Sequence, residues 1–350
     1  SGLNQMNSPN SVEIDSSSRI FVMDANSRIV RYPSNSSSGT TGTLVAGGNG
    51  NGSSANQLFT PEDFKIDSNG GLYISDEQNR RVQYWASGAT TGTTVAGSAT
   101  GNNGSAANLL FNTGGIDLSS DGSIFIASGS AVSQFTVKKF QKGYSTTSLT
   151  QITQTSGSNG SATNQLGYPK GFHIFNNDES YVADGVQGRI MYWTSSGSAG
   201  TQIASGLSSP MDVTVDSSGN LIVADQGNHR VLKFTKTDTN TFNQSPTVIA
   251  GGNGSGSNLN QASPLTVKSN SDGSITVLDA SGARVVKWAS GSSSGALMSS
   301  GYSSITDLYV YGNGDLLISE VGSSGSNTDQ KITRDTGLTT APTMAITSTF

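Results

Sequence analysis

One short pattern of residues recurs seven times along the chain. In its clearest copy, residues 221–234, two alternating apolar runs flank a polar turn that starts at Asp225. This pattern is typical of a two-stranded antiparallel hairpin. The residues that end the first strand of each copy are Asp24, Asp76, Ser128, Asp184, Asp225, Asp279 and Glu320. Their spacings are 52, 52, 56, 41, 54 and 41 residues, and a period near fifty is typical of propellers and repeat arrays.

Each copy also has a strand pattern on either side of its hairpin, which makes four strands per repeat. Repeated four-stranded units can bury both faces against their neighbours. We therefore expect an all-β fold, a seven-bladed β-propeller of four-stranded antiparallel blades in one domain over 1–350; the alternative is six blades plus an extra unit. The expected blades are 1–52, 53–107, 108–163, 164–205, 206–258, 259–299 and 300–350.

The clearest copy has a recognisable signature. The string LSSPMDVTVDSSGNLIVADQGNHRVLKF (207–234) has a Pro before its first strand, a Gly-containing turn, V-A-D and N-H-R-V. It resembles an NHL repeat, and residues 61–85 and 263–288 keep most of the signature. The resemblance implies a propeller, although NHL propellers more often have six blades. Because the family includes both binding modules and enzymes, it does not imply one activity.

Composition indicates where such a protein works. Charged residues make up 12% of the chain, about half the usual quarter, and the net charge is −5. No basic stripe suggests nucleic acid, and no apolar run is long enough for a membrane span. The chain has no Cys, which excludes disulfides and thiolate metal sites. Few charges and many hydroxyl and amide side chains favour an extracellular protein, secreted or on the cell surface, and the start at Ser1 suggests a removed leader or a trimmed tag.

In five repeats an Arg follows the Asp of the turn, four residues later in the first repeat and five residues later in the other four. The predicted structural turn pairs are Asp24 with Arg28, Asp76 with Arg81, Asp184 with Arg189, Asp225 with Arg230, and Asp279 with Arg284. In the third repeat both are replaced, by Ser128 and Ser133, which indicates that the two side chains interact. A residue that recurs in repeat after repeat usually serves the repeat itself. The alternative is an Arg-rich face that binds an acidic ligand.

The first strand of each repeat would line the central channel of a propeller. The fourth residue after the Pro position gives one candidate ligand-binding residue per repeat: Glu13, Lys65, Asp117, His173, Thr214, Lys268 and Tyr309. A metal would need converging carboxylates and imidazoles, whereas this set is mixed in charge. We predict a hydrated, hydrogen-bonding channel without a metal or other cofactor, with Ca²⁺ as the alternative.

Six N-x-S/T sequons predict glycosylation, at Asn35, Asn51, Asn103, Asn159, Asn243 and Asn253. Those at 51, 103, 159 and 253 fall in the loop that leads from one repeat to the next. That loop should emerge on the same face as the Asp–Arg turns, and Asn35 and Asn243 should emerge on the other.

These observations favour a non-enzyme. The chain has two His and lacks the G-x-S-x-G and H-E-x-x-H motifs. We expect a non-catalytic, glycosylated module that binds protein or glycan, or that self-associates, with no nucleic acid partner and no membrane span. Two alternatives stay open: a repeating structural subunit of an extracellular fibre or matrix, and a calcium-dependent hydrolase or lyase with its site in the channel.

Overall fold

The computed structural model divides the chain into two compact units. Unit 1 comprises Ser1–Gln151, Thr306–Tyr309 and Leu316–Phe350, and unit 2 comprises Ile152–Ile305 and Val310–Asp315. The residues that the structure describes are 2–37, 39–98, 101–102, 104, 108–130, 133–141, 160–175, 179–194, 199–302, 305–310, 316–320, 331–335 and 344–347.

Unit 1 holds the first three repeats and the seventh. The first repeat has β1 (Pro9–Ile14), β2 (Ile20–Asp24), β3 (Arg28–Tyr32) and β4 (Thr43–Gly47). The second has β5 (Pro61–Ile66), β6 (Leu72–Asp76), a 3-10 turn (Glu77–Asn79), β7 (Arg81–Trp85) and β8 (Thr93–Gly97). The third has β9 (Thr113–Leu118), β10 (Ile124–Ser130) and β11 (Ser133–Phe140). In the seventh, the strands are β26 (Ile305–Val310), β27 (Leu316–Glu320), β28 (Lys331–Asp335) and β29 (Met344–Thr347).

Unit 2 holds the fourth, fifth and sixth repeats. The fourth has β12 (Pro169–Phe175), β13 (Glu179–Asp184), β14 (Arg189–Trp193) and β15 (Thr201–Ala204). The fifth has β16 (Pro210–Val215), β17 (Leu221–Asp225), a 3-10 turn (Gln226–Asn228), β18 (Arg230–Phe234), an extra hairpin of β19 (Lys236–Asp238) and β20 (Thr241–Phe242), and β21 (Thr247–Gly251). The sixth has β22 (Pro264–Ser269), β23 (Ile275–Asp279), a 3-10 turn (Ala280–Gly282), β24 (Arg284–Trp288) and β25 (Ala296–Ser299).

The prediction of seven four-stranded blades is corrected to six, which is the alternative of six blades plus an extra unit. Six repeats form antiparallel four-stranded sheets from consecutive strands, whereas the third forms a three-stranded sheet in the described part of the chain. Its expected fourth strand, 150–153, lies outside the described residues. The third repeat also departs at its hairpin, since β10 and β11 extend past Ser128 with a register shift where five other repeats make the Asp–Arg turn.

The middle strands of each sheet are hydrophobic because both of their faces are covered. Every residue of β17 is buried, and the same holds for β2, β6 and β23. Trp85, Trp193 and Trp288 end the third strands and are each 1% exposed. In unit 1 the first strand β1 packs against β5 and β27, and β5 packs against β9. In unit 2 β16 packs against β12 and β22. First strands of successive repeats are thus neighbours within each unit.

No helix among the described residues is long and apolar enough to cross a membrane.

Candidate binding site

The five Asp–Arg turns share one contact between the two side chains. The Arg Nε donates to the Asp carboxylate at distances between 2.7 and 3.2 Å. The carboxylate also accepts a backbone N–H from the loop that leads into its own repeat, for example from Phe59 to Asp76 and from Ser208 to Asp225, both at 2.7 Å. Burial raises the pKa of Asp76, although its hydrogen bonds act in the opposite direction. A buried carboxylate of this kind is stable only while its donors are kept.

In four of these repeats the Arg also holds the loop that leads into the repeat. Arg81 donates to the carbonyls of Ser53, Ser54 and Gln57 at 2.7 to 3.3 Å. Arg28, Arg189 and Arg284 bind loop carbonyls in the same way. A Gln in each loop closes the turn from within, as Gln261 does by accepting from the N–H of Asn258 at 3.2 Å. The Arg therefore joins two segments, its own turn and the preceding loop.

In the third repeat, other residues make the two contacts to the preceding loop that the Asp and the Arg make elsewhere. Ser128 Oγ accepts the N–H of Phe111 at 2.9 Å, as the Asp carboxylate does elsewhere. Lys138 Nζ donates to the carbonyl of Leu109 at 2.5 Å, at the loop position that Gln57 occupies before its buried Leu. Burial lowers the pKa of Lys138 to about 8. The Asp and Arg are replaced together here, and a cation from further along the strand supplies the loop contact.

The fifth repeat is the exception, because its Arg has no loop to hold. The loop before β16 has only residues 205–209, whereas those before β5 and β22 span 48–60 and 252–263. Arg230 donates Nε to Asp225, and among the described residues its terminal nitrogens meet no acceptor. Its side chain is 31% exposed, compared with 3% to 7% for the other four.

A cleft of about 480 Å³ lies between the fourth and fifth repeats, beside this short loop. Its walls are the turn of the fourth repeat (Gly185–Gly188), the start of that repeat at Tyr168 and Lys170, and the short loop at 207–209. Val186 is 70% exposed and Tyr168 38% exposed. The Lys170 ammonium lies 4.0 Å from the centre of the Tyr168 ring, and burial lowers the pKa of this Lys. Arg230 is not one of the residues that line the cleft; its turn is joined to the short loop by the N–H of Ser208, which donates to Asp225 at 2.7 Å. We call the cleft, together with the exposed side chain of Arg230 on this adjoining turn, the open cleft.

The extra hairpin braces the same pair of repeats at their opposite end. Asn240 Nδ2 donates to the Tyr192 hydroxyl at 2.6 Å, and the Tyr181 hydroxyl donates to Asn240 Oδ1 at 3.3 Å. Phe242 packs edge-on against Tyr181 with ring centres 5.8 Å apart. Gln244 Nε2 donates to the carbonyl of Ile203 at 3.0 Å. On the face of the Asp–Arg turns, the short loop makes few contacts between the fourth and fifth repeats. On the opposite face, the hairpin and Gln244 supply contacts between the same two repeats.

The seven candidate channel residues lie on the first strands of their repeats, four of them in unit 1 and three in unit 2. In unit 1, Glu13 and Lys65 form an ion pair. Burial tends to lower the pKa of Lys65, but Asp63 and Glu13 raise it overall, while burial raises the pKa of Glu13. Tyr309 belongs to the same neighbourhood, since burial and the charge of Glu13 raise its pKa. Asp117 lies on β9 of the same unit.

In unit 2 the channel residues are His173, Thr214 and Lys268, on β12, β16 and β22. Burial, aided by the positive charge of Lys268, lowers the pKa of His173 to about 4. Although a neutral imidazole can bind a metal ion, the positive charge of the Lys268 ammonium would repel a cation near His173. The described residues contain no group of three or more His, Asp or Glu that could hold a metal.

Sequence reasoning missed a set of Asp residues two positions earlier on the first strands. Asp63 Oδ2 accepts the N–H of Ile116 at 3.0 Å, and Asp212 and Asp307 accept those of Val267 and Val12 at 3.0 and 3.1 Å. Each carboxylate therefore links one repeat to its neighbour. Burial raises the pKa of both Asp212 and Asp307. The recurrence of Asp at this position in three repeats was a signal that could have found them.

The described sequons are accessible. Asn35, Asn51, Asn243 and Asn253 are exposed, and Asn103 and Asn159 lie outside the described residues. Asn51 is on the face of the Asp–Arg turns, where Ser27 Oγ donates to its Oδ1 at 2.8 Å. Asn253 belongs to the loop that Arg284 holds. Asn35 and Asn243 lie between third and fourth strands, at the opposite end of their sheets.

Comparison with solved structures shows the fold. The chain is similar to virginiamycin B lyase from Staphylococcus aureus, with a TM-score of 0.60 and 10% identity over 91% of this chain and 93% of that one. It is similar to a streptogramin B lyase, with a TM-score of 0.58 and 10% identity over 89% and 90%. The extracellular domain of a hybrid two-component system from B. thetaiotaomicron gives a TM-score of 0.56 and 9% identity, over 91% of this chain and 39% of that one. No curated protein matches by sequence.

The fold is thus that of an all-β propeller built from four-stranded antiparallel blades. Residues 207–234 match the model of the NHL repeat. The repeat and the fold together support an NHL-repeat β-propeller.

Proposed function

We propose that this protein is a non-catalytic binding module whose ligand site is the open cleft. One observation carries the proposal: the fifth repeat keeps the Asp–Arg turn but has lost the loop that the turn holds elsewhere. The consequence is a recess lined by an exposed Val, an exposed Tyr and the Lys170 ammonium, next to a turn that carries the exposed Arg230. Concave surfaces that bring a few polar groups together are typical of ligand sites, and the lining of this recess is more polar than apolar.

The extra hairpin supports a functional origin for this recess. A loop lost by chance would weaken the packing of the fourth repeat against the fifth. The contacts of Asn240, Phe242 and Gln244 restore that packing without covering the cleft, because they lie at the other end of the sheets. The two repeats therefore stay together while the face of the Asp–Arg turns stays open.

The proposal includes an extracellular location and glycosylation. The support is the low charged fraction, 12%, and the exposure of the four described sequons. Neither Asn51 nor Asn35 lines the cleft, so that glycans there would leave it accessible.

A loop graft tests the proposal. The variant replaces residues 205–209 by a copy of 252–263, the loop that Arg284 holds, and the control graft is a Gly/Ser loop of equal length. A phage-displayed random peptide library and a glycan array are applied to the wild-type protein and to both grafts. We expect ligands that bind the wild type and lose binding to the copied loop, because that loop fills the cleft.

Two outcomes contradict the proposal. Ligands that bind the copied-loop variant as tightly as the wild type would place the binding site elsewhere on the molecule. A wild-type protein that selects no peptide and no glycan would oppose a binding module of either class.

A further inference from the structure

The terminal nitrogens of Arg230 correspond to those that bind backbone carbonyls in related repeats. Arg284 donates from Nη2 to the carbonyls of Gly256, Asn258 and Gln261 at 3.0 to 3.1 Å. Arg189 makes the corresponding bonds to Gly160, Ala162 and Gln165. A guanidinium without acceptors is a partly desolvated cation with unused donors. Arg230 thus has the same N–H donors as its counterparts, but the loop whose carbonyls accept from them in the other repeats is missing.

The open cleft also corresponds to where such a loop would lie. In the other repeats the loop touches the turn of the preceding repeat: Ser27 Oγ donates to Asn51, and Arg80 Nη1 donates to the carbonyl of Gly101 at 3.2 Å. The corresponding turn of the fourth repeat, Gly185–Gly188, is a wall of the cleft. The short loop meets it only at its base, where the N–H of Leu207 donates to the carbonyl of Gly188 at 3.1 Å.

Lys170, at the rim of the cleft, favours a ligand that carries a negative charge. Lys170 stands one residue after the Pro of its repeat, where the second repeat has Glu62. Among the described residues it makes no ion pair, and its contact is with the Tyr168 ring. A carboxylate on an incoming segment would therefore meet a cation that has no counterion in the described part of the chain.

We infer that the open cleft binds, in place of the missing loop, an acidic, turn-forming segment of a partner polypeptide that presents its backbone carbonyls to Arg230 and a carboxylate to Lys170. This inference rests on the proposed function, since it names the ligand class of the same cleft. The segment resembles the chain's own loops, which are rich in Gly, Ser and Asn and are closed by a Gln. Because the turn is short and mostly polar, its affinity depends on the two cations more than on buried apolar area.

The test uses a labelled synthetic peptide with the sequence of residues 253–263, extended by Asp–Asp at either end, and fluorescence anisotropy with the full-length protein. The comparison peptides carry Asn–Asn in place of Asp–Asp, or Ala in place of the Gln. We expect Arg230→Ala to weaken binding about tenfold or more, since hydrogen bonds to a charged group are involved. Lys170→Ala should remove the advantage of the Asp–Asp peptide over the Asn–Asn peptide.

Two further variants keep the test interpretable. Arg19→Ala removes an exposed Arg from the turn between β1 and β2 of the first repeat, and it should bind as the wild type does. Val186→Ser changes a side chain that is 70% exposed, so that its weaker binding would not reflect misfolding. A peptide that fails to bind the wild type, or binds Arg230→Ala equally well, overturns the inference. If the copied-loop graft still abolishes binding of other selected ligands, the proposed function stands and only the acidic turn is wrong; selected glycans with no selected peptide would have the same meaning.

Discussion

Arg230 lies 2.8 Å from Asp225 and yet is 31% exposed, whereas the arginines of its sister turns are buried. The ion pair alone therefore does not bury this side chain; the loop above it does. The five turns provide a comparison within one molecule, because the same pair exists with the loop and without it. The difference between them predicts the energetic role of the loop.

Removal of the Arg should cost far more in the second repeat than in the fifth. Arg81→Ala leaves the buried Asp76 without its cation and three loop carbonyls without a donor, and we expect a loss of about 3–5 kcal/mol in the free energy of unfolding. Arg230→Ala also takes the cation from a buried carboxylate, Asp225, but it breaks no bond to a loop, and we expect a smaller loss of about 1–2 kcal/mol. Urea unfolding of both variants measures this, and equal losses would show that the loop contacts contribute little.

The extra hairpin (β19 and β20) should contribute to the free energy of unfolding although much of it is exposed. Asn240→Ala removes the hydrogen bonds to Tyr192 and Tyr181, and we expect a loss of about 1–2 kcal/mol. Thr239→Ala, at the neighbouring exposed tip, is the matched control and should be nearly neutral. If the two variants unfold at the same urea concentration, the hairpin does not brace the fourth repeat.

Stability should fall as the pH drops from about 6.5 to about 4, in part because of His173. Its pKa is lowered to about 4 in the folded protein, so that the unfolded chain binds more protons in that window. His173→Gln should reduce the slope of unfolding free energy against pH between pH 4.5 and pH 7. His229→Gln, which alters the other His of the chain, is the control. An unchanged slope in His173→Gln would contradict a neutral, buried imidazole.

Glycosylation should occur first at Asn51 when the protein is secreted from eukaryotic cells. Asn51 is exposed, and its Nδ2 makes no hydrogen bond among the described residues, whereas Nδ2 of Asn253 donates to the carbonyl of Asn260 at 3.0 Å. Intact-mass measurement should exceed 35.9 kDa, and Asn51→Gln should lower it by one glycan. A secreted protein with the mass of the bare chain would contradict this prediction.

Most of the fold was predictable from the residues that recur in each repeat. The hairpins around Asp76, Asp184 and Asp225 were predictable because alternation, turn chemistry and spacing agreed at each copy. The third repeat was not, because Lys138 takes over the loop contact from a position that no repeat alignment assigns to it. A change of register moves a side chain to a new partner, and spacing alone cannot show that.

The candidate site was harder to predict for a different reason. The spacing of 41 residues between Asp184 and Asp225 was visible, but its meaning depends on what the longer loops do elsewhere. Only the bonds from Arg81 and Arg284 to loop carbonyls show that a short loop leaves donors unused. The first-strand residues were placed on the right strands, yet Asp63, two positions before Lys65, makes the link between repeats.

Arginine labelling tests the central claim, that Arg230 belongs to an open site. The protein is treated with a dicarbonyl reagent specific for guanidinium groups, and the rate of modification at each turn Arg is followed by peptide mass spectrometry. We predict that Arg230 reacts much faster than Arg28, Arg81, Arg189 and Arg284, and that a ligand selected against the cleft slows Arg230 alone. Modification of Arg230 as slow as that of the other four, or a rate that no cleft ligand changes, would contradict the account.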